Sequence, residues 1–474
     1  MKAELSKYLQ ENKPALKKLV ADLSEDFQYV SVLGTDTKGT TYRVKSSGTA
    51  ISDSRTVERG FVVRVFNGIG YSEYSFNDLD FVYAEKCIRK AAEKDAAFYR
   101  EQGIAIREYN KIEEEELTQS YTSELQIHPE AIGAQKIVEE LATLVAEGMA
   151  YSDQVIELQT IYDWAQVSKI FISTKRDLEQ SYLYSTGYLI PYVRGEKSAQ
   201  YSLKSFSGLK GFELIEEMKN GLSKTIDNTL LLLKAKRIVP GEYEIICDPN
   251  VSGLIAHEAF GHGVEMDMFV KKRALGEKYV GQKVASAITN MRDGATGVEE
   301  VSSYLFDDEG VLGGNTLIIE NGILKNGISD LLSAMALGSK PTGNGKRESF
   351  ERKAYSRMTN TYFEKGKDKL EDMIASISHG YFLEDFESGM EDPKNWGIQC
   401  VAARGYEIID GKLTDHVVAP VYLTGYVPDL LGSFSMISDG ELILSGSGFC
   451  GKGHKELVKT STGGTYIKAI GRLS

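Results

Sequence analysis

The nine residues His257-Glu258-Ala259-Phe260-Gly261-His262-Gly263-Val264-Glu265 bring two imidazoles and two carboxylates together in one short stretch. Side chains of these types can hold a transition metal and move a proton beside it. In an H-E-x-x-H helix the histidines are four apart, about 40° around the axis, so both rings reach one ion. His257 and His262 are instead five apart, which a regular α-helix would spread to about 140°. Rings on nearly opposite faces cannot both lie about 2 Å from one metal. Metal binding therefore requires a local distortion. Either the helix widens to an i→i+5 turn, or it ends at Gly261 and delivers His262 from non-helical backbone. Gly261 and Gly263 flank His262 and permit the φ values either solution needs. In an undistorted helix each glycine would cost about 1 kcal/mol relative to Ala. The competing reading is a structural helix whose histidines are satisfied by neighbours.

Glu258 directly follows the first histidine, so it projects on a different azimuth and need not ligate. It can accept the proton of a metal-held water and pass it to a leaving group. Two histidines are too few for a catalytic zinc, which usually takes three protein ligands. Among the remaining candidates Cys450 stands out, in the glycine-rich stretch SGSGFCGKGHKE, with His454 second as ligand or substrate contact. Cys87 lies on the apolar face of an expected helix, and Cys247 and Cys400 lie in expected strands, so these three read as buried cysteines. His128, His379 and His416 read as ordinary surface or core histidines. Glu265 and Asp267 either orient the imidazoles or belong to a solvated helix face. Asp307-Asp308-Glu309-Gly310 has hard-cation ligand types but reads better as a solvated turn.

The histidine helix needs a scaffold, and the chain divides near Pro240-Gly241 into an N-terminal part, 1–236, and a C-terminal part, 237–474. Residues 1–25 have the periodicity of an amphipathic helix. The stretch 61–76 alternates around Asn67-Gly68, a dipeptide suited to a type I′ turn. Residues 78–98 turn helical behind Asp78 or Asp80, 129–149 form a helix opened by Pro129, and 209–236 are helical. Between 155 and 208 the pattern is strand-like and rich in tyrosine, a residue suited to half-buried strands or to a wall that receives peptide. In the second part a strand, 243–247, leads through Asp248-Pro249 into the histidine helix. Hairpins follow at 317–327, 406–415 and 436–444, each marked by NG or DG. The expected fold is α+β: an N-terminal mixed domain with an antiparallel sheet, then a hairpin-rich antiparallel β domain carrying the metal-site helix.

With 474 residues, 42% hydrophobic and 26% charged, the chain has a globular composition. A formal charge of −13, with no Lys/Arg-rich window, argues against a nucleic-acid partner. The N-terminal stretch has no apolar core of a signal peptide, and no run is long enough to span a bilayer. Four scattered cysteines fit a reducing compartment. A cytoplasmic location is expected.

HEAFGHGVE resembles the H-E-x-x-x-H motif of the TldD group within the TldD/PmbA metallopeptidases. So do LFDDEGV (305–311), LIIENGILKNGISD, SRMTNTYF (356–363), CGKGHKELVKTSTGG (450–464) and the early GFVVRVFNGIGYSEYSFNDLD. The motifs occur in order over most of the chain. The resemblance implies a zinc metallopeptidase with His257, His262 and Cys450 as ligands and Glu258 as general base. It implies a homodimer, or a heterodimer with a PmbA/TldE-type paralogue, enclosing a cavity that admits unfolded peptide. It makes Arg357 and Asn360 candidates for substrate contact, against a role in fixing loops. The stretch after Lys452 departs from the expected C-G-K-x-x-Q pattern, which leaves the role of His454 open. The alternative function is a non-catalytic peptide-binding or regulatory subunit, the reading that goes with the family's older association with DNA gyrase.

Overall fold

The computed structural model describes residues 1–101, 109–452 and 456–474. Its fold is α+β, with long antiparallel strands and helices packed on their faces. The largest sheet has nine strands, and its spine runs Tyr71–Phe76, Glu58–Phe66, Val30–Lys45, Val155–Ser173, Arg176–Arg194, Leu117–Thr122. All pairs along this spine are antiparallel except the last, where Leu117–Thr122 runs parallel to Arg176–Arg194. The helix Lys7–Ser24, capped by the Ser6 side chain, buries Leu9, Leu16 and Leu23 against Phe61, Val63 and Ile170 of this sheet. Further along, Ile137, Leu141 and Leu144 pack with Leu158, Leu183 and Ile226.

The other sheets among the described residues are built from residues after 240, and two of them are large. In one, Gly241–Cys247 pairs parallel with His379–Asp392 and antiparallel with Ile467–Leu473. The latter also pairs with Val421–Tyr426, which pairs with Gly397–Ile409 beside His379–Asp392, so these five strands close on themselves. The other sheet has six strands, in the order Ile323–Leu324, Asn315–Glu320, Met291–Gly294, Asn360–Phe363, Ser461–Gly464, Ile443–Ser445. The chain leaves Gly241–Cys247 through Asp248, whose carboxylate accepts from the Val251 N–H at 2.7 Å, and enters a buried helix at Pro249–Leu254. Helix and sheet meet backbone to backbone: a Cβ on Gly253 would lie 2.5 Å from the Gly463 nitrogen.

Several expected turns have a different chemistry. Asn321-Gly322 and Asp410-Gly411 have positive φ at both positions and close two-residue hairpins, as NG and DG sequences favour. Asn67-Gly68 does not close a type I′ turn. Phe66 pairs with Tyr71, and the Asn67 side chain instead accepts from the N–H groups of Ile69 and Gly70, giving a longer Asx-type loop. Pro129 opens only Pro129–Ile132, because Gly133 at φ 83° breaks the helix before Ala134–Tyr151 begins. The stretch 436–444 is no hairpin: Met436–Ile437 pairs with Ile467–Leu473, while Ile443–Ser445 pairs with Ser461–Gly464 in another sheet.

The largest correction concerns Asp307-Asp308-Glu309-Gly310, which is a buried turn and not a solvated one. Glu309 pairs with Arg64 at 2.7 Å, Asp308 pairs with Lys169, and the Gly310 carbonyl accepts from Arg176. All three cations come from the nine-stranded sheet. Asp307 accepts from the N–H groups of Glu309, Val311 and Gly345, which holds the turn's own shape. Tyr182 and Tyr184 pack nearby with Val301 and Tyr304, so the tyrosine-rich strands press against the second half of the chain. Gly310 sits at φ 76°, and a Cβ there would lie 2.4 Å from the Phe171 ring. Gly310→Ala should therefore lower stability by about 1–3 kcal/mol, read as a lower urea midpoint with an unchanged slope.

Candidate metal centre

Beyond Leu254 the helix widens. Ile255–Gly261 is a π-helix, and the His262 N–H donates to the His257 carbonyl five residues back. A single 3₁₀ turn, His262–Val264, follows, and Glu265 leaves the helix with φ −67° and ψ 113°. Of the two distortions the spacing allows, the chain adopts the i→i+5 one. The glycines contribute space rather than unusual dihedrals. Gly261 has an ordinary helical φ of −59°, but a Cβ there would lie 2.1 Å from the Met358 sulfur. At Gly263 a Cβ would lie 2.7 Å from Glu391 Oε1.

The wide turn brings the two rings together, with centroids 5.1 Å apart and planes at 84°. Cys450 joins them from the strand Phe449–Lys452, its sulfur 3.3 Å from His262 Nε2. One ligand atom from each of His257, His262 and Cys450 lies within 4.8 Å of the others. Donors around a tetrahedral zinc are roughly 3.5 Å apart, so small side-chain adjustments would suffice. His257 Nδ1 is buried without a hydrogen-bond partner. Two imidazoles and a thiolate form a donor set suited to zinc. Burial works to raise the Cys450 thiol, but the imidazoles of His262 and His257 outweigh it and hold the sulfur well below the ordinary thiol range. Burial equally opposes charge on His262, while Cys450 and Glu265 lift it well above the usual imidazole value. The residues present fit a metal of this class.

A charged chain surrounds the three donors. Glu265 faces His262 Nδ1 at 3.3 Å, Lys452 at 2.9 Å and Arg357 Nε at 3.6 Å. Burial would raise its carboxyl, but Lys452, His262 and Arg357 keep it below the usual carboxylate range. Asp267 does not reach an imidazole. It binds Lys452 at 2.6 Å and Lys271 at 2.9 Å. Arg357 is buried and donates to the carbonyls of Cys450 at 2.6 Å and Glu456 at 3.1 Å, so it joins the two strands of the hairpin that carries the cysteine. Asn360 is also buried and donates to the Val298 carbonyl and Ser303 Oγ, each at 3.0 Å. Neither Arg357 nor Asn360 lines the cavity at the site. His454 lies outside the described residues.

That cavity, about 520 Å³, is bounded by the wide turn, the end of His379–Asp392 and the segment 445–452. Glu258 forms part of its wall, packed against Gly389, where a Cβ would lie 2.5 Å from Glu258 Cγ. Two residues to which the sequence assigned no role also matter here. Lys452 anchors Glu265. Glu391 lines the cavity with both carboxylate oxygens shielded from solvent and without hydrogen-bond partners; the Gly263 N–H is turned towards it without bonding geometry. Burial pushes the Glu391 carboxyl well above the usual range; nearby His262 opposes this, and Glu265 and Glu258 add to it. Of the remaining histidines, His379 and His416 are exposed and share Glu407, while His128 meets Gln166 at 3.0 Å. Cys247 and Cys400 are buried. Among the described residues no helix is long and apolar enough to cross a membrane.

Residues 240–464 match the model of the PmbA/TldA metallopeptidase C-terminal domain. A metalloprotease TldD homologue of Buchnera aphidicola is 35% identical over 226 residues, covering 47% of this chain and 46% of that protein. A metalloprotease of Methanocaldococcus jannaschii is 29% identical over 421 residues, 88% of this chain and 90% of that one. A zinc metalloprotease TldD homologue of Saccharolobus solfataricus is 32% identical over 54% of this chain and 55% of its own. The chain thus spans about half the length of the first and third of these relatives in its match to them. Two solved structures share the fold. A protein of Thermotoga maritima described as a candidate modulator of a DNA gyrase has TM-score 0.75 at 17% identity, covering 98% of this chain and 100% of that one. TldE of Thermococcus kodakarensis has TM-score 0.74 at 18% identity, covering 97% and 99%. Residues 240–464 thus belong to the TldD/PmbA family, and the chain as a whole shares the fold of TldE.

Proposed function

We propose that this chain is a zinc-dependent peptidase of the TldD branch, cleaving flexible or unfolded peptides. The observation that carries this reading is the convergence of His257, His262 and Cys450 on a cavity whose wall includes Glu258. His257, His262 and Cys450 would hold the ion, which would supply Lewis acidity at neutral pH. Glu258 takes the proton of the attacking water and returns it to the departing amine. No hydrogen bond or ion pair ties Glu258 to a neighbour among the described residues, so it is free to swing between those two positions. Glu265 and Lys452 hold the His262 ring in orientation, and Arg357 holds the backbone that presents the sulfur.

The substrate binds extended. Ser445 and Ser447, at and just beyond the terminal strand of the six-stranded sheet, line the cavity, and main-chain pairing along such a strand tolerates varied side chains. The chain works as a dimer, either with a second copy or with a TldE-type paralogue, in the cytoplasm. The division at 236/237 separates a cavity-wall domain from the metallopeptidase domain.

Purified protein should contain about one zinc per chain and cleave unstructured peptides. Glu258→Ala should keep the zinc and lose at least about 100-fold in turnover. Protein without stoichiometric metal after metal-replete purification would overturn the reading, and a metal-bearing protein that binds but never cleaves peptide would favour the non-catalytic subunit. Cys450→Ser should release zinc to a chelator far faster than Cys87→Ser; equal retention would remove Cys450 from the ligand set. Arg357→Lys loses the paired donation to the Cys450 and Glu456 carbonyls, so zinc retention should fall by about 10-fold in a competition titration.

A further inference from the structure

Glu391 has no part in the reaction as written, yet its carboxyl is the cavity's one acid left without a partner while shielded from solvent, among the described residues. A shielded carboxyl without a formed hydrogen bond or ion pair is costly to keep, and a ligand that completes it accounts for that cost. The basic groups nearby are already committed: His262 faces Glu265 and Cys450, and Lys452 is held by Glu265 and Asp267. Glu391 is not one of the converging metal donors. Two glycines seat the strand end that carries it: Gly389 lies against Glu258, and Gly263 leaves room for Glu391 Oε1. Gly389 and Glu391 are two apart on one strand, which puts both on the face towards the wide turn. The carboxyl is therefore close to the reacting centre.

The lining also includes the apolar side chains of Met268, Phe386, Met390 and Pro393, beside polar and charged ones. A cavity that combines apolar side chains with an unpartnered, shielded acid suits a long aliphatic stem with a cationic tip, the shape of lysine or arginine. A chain-terminal ammonium has no such stem. We propose that Glu391 selects peptides carrying a lysine or arginine side chain beside the scissile bond. This rests on the peptidase reading above.

The test uses matched quenched-fluorescence peptides with lysine or norleucine at each position flanking the cleaved bond, made with free and with acetylated amino termini. The wild type should favour lysine by at least about 10-fold in kcat/KM, whether or not the terminus is acetylated. Glu391→Gln should collapse that ratio to about twofold or less, and Glu391→Lys should turn the preference towards glutamate. Equal wild-type rates on lysine and norleucine would overturn the proposal. So would a ratio that survives Glu391→Gln, as expected if Glu391 only serves the buried, unpartnered Trp396 indole nitrogen. A preference lost on acetylation would overturn it too, reassigning the carboxyl to a terminal ammonium. If no peptide is cleaved, the peptidase reading fails on its own, and fluorescence anisotropy of the same peptides on Glu258→Ala protein still decides this one: tighter lysine binding supports it, and equal binding overturns it.

Discussion

One hydrogen bond, from the His262 N–H to the His257 carbonyl, governs the geometry of the site. Moving the acceptor from four residues back to five turns a 140° divergence into convergence. Wide turns are rare because they loosen the helix, so the surroundings must hold this one. Here the turn is buried, with Met358 filling the space over Gly261 and Gly389 lying under Glu258. The preceding α-helical segment is fixed by its Asp248 cap and by Gly253 against the Gly463 backbone. A side chain at any of these glycines would push the turn out of place.

The third donor comes from almost two hundred residues away, and its position depends on charge as much as on packing. Arg357 grips both strands of the hairpin carrying Cys450, and its Nε faces Glu265. Glu265 in turn faces His262 and Lys452, which belongs to the same hairpin as Cys450. The ring and the sulfur are thus tied to one buried carboxylate. Such a network is costly to bury but has few ways to be fully satisfied, which favours a single arrangement of the donors. The Asp307-Asp308-Glu309-Gly310 turn applies the same device on a larger scale, with three basic side chains of the nine-stranded sheet converging on it.

Much of the local structure is legible in the residues alone. Positive φ at Asn321-Gly322 and Asp410-Gly411 follows from turn chemistry, and the Asp248-Pro249 cap from the needs of a helix start. Where the reading fails, a distant partner changes the outcome. Asn67-Gly68 has the same dipeptide signal, but its side chain bonds to the loop instead. The two arms of 436–444 each find a better neighbour in a separate sheet. The acidic turn at 307–310 looks solvated because its cations lie at positions 64, 169 and 176.

The site divides in the same way. The five-residue spacing of the histidines excludes a regular helix, because helical rotation per residue is fixed; so the sequence by itself determined that the helix must distort if the two rings share a metal. Tertiary structure decided which distortion occurs and why the glycines are there, since Gly261 and Gly263 answer to Met358 and Glu391 rather than to their own dihedrals. It also decided that Lys452 and Glu391 belong beside the metal donors. Lys452 stands in the C-G-K motif and Glu391 in none, but the role of neither is legible locally, because what sets each apart is the presence or absence of a partner contributed by remote chain, and only the folded molecule supplies that partner.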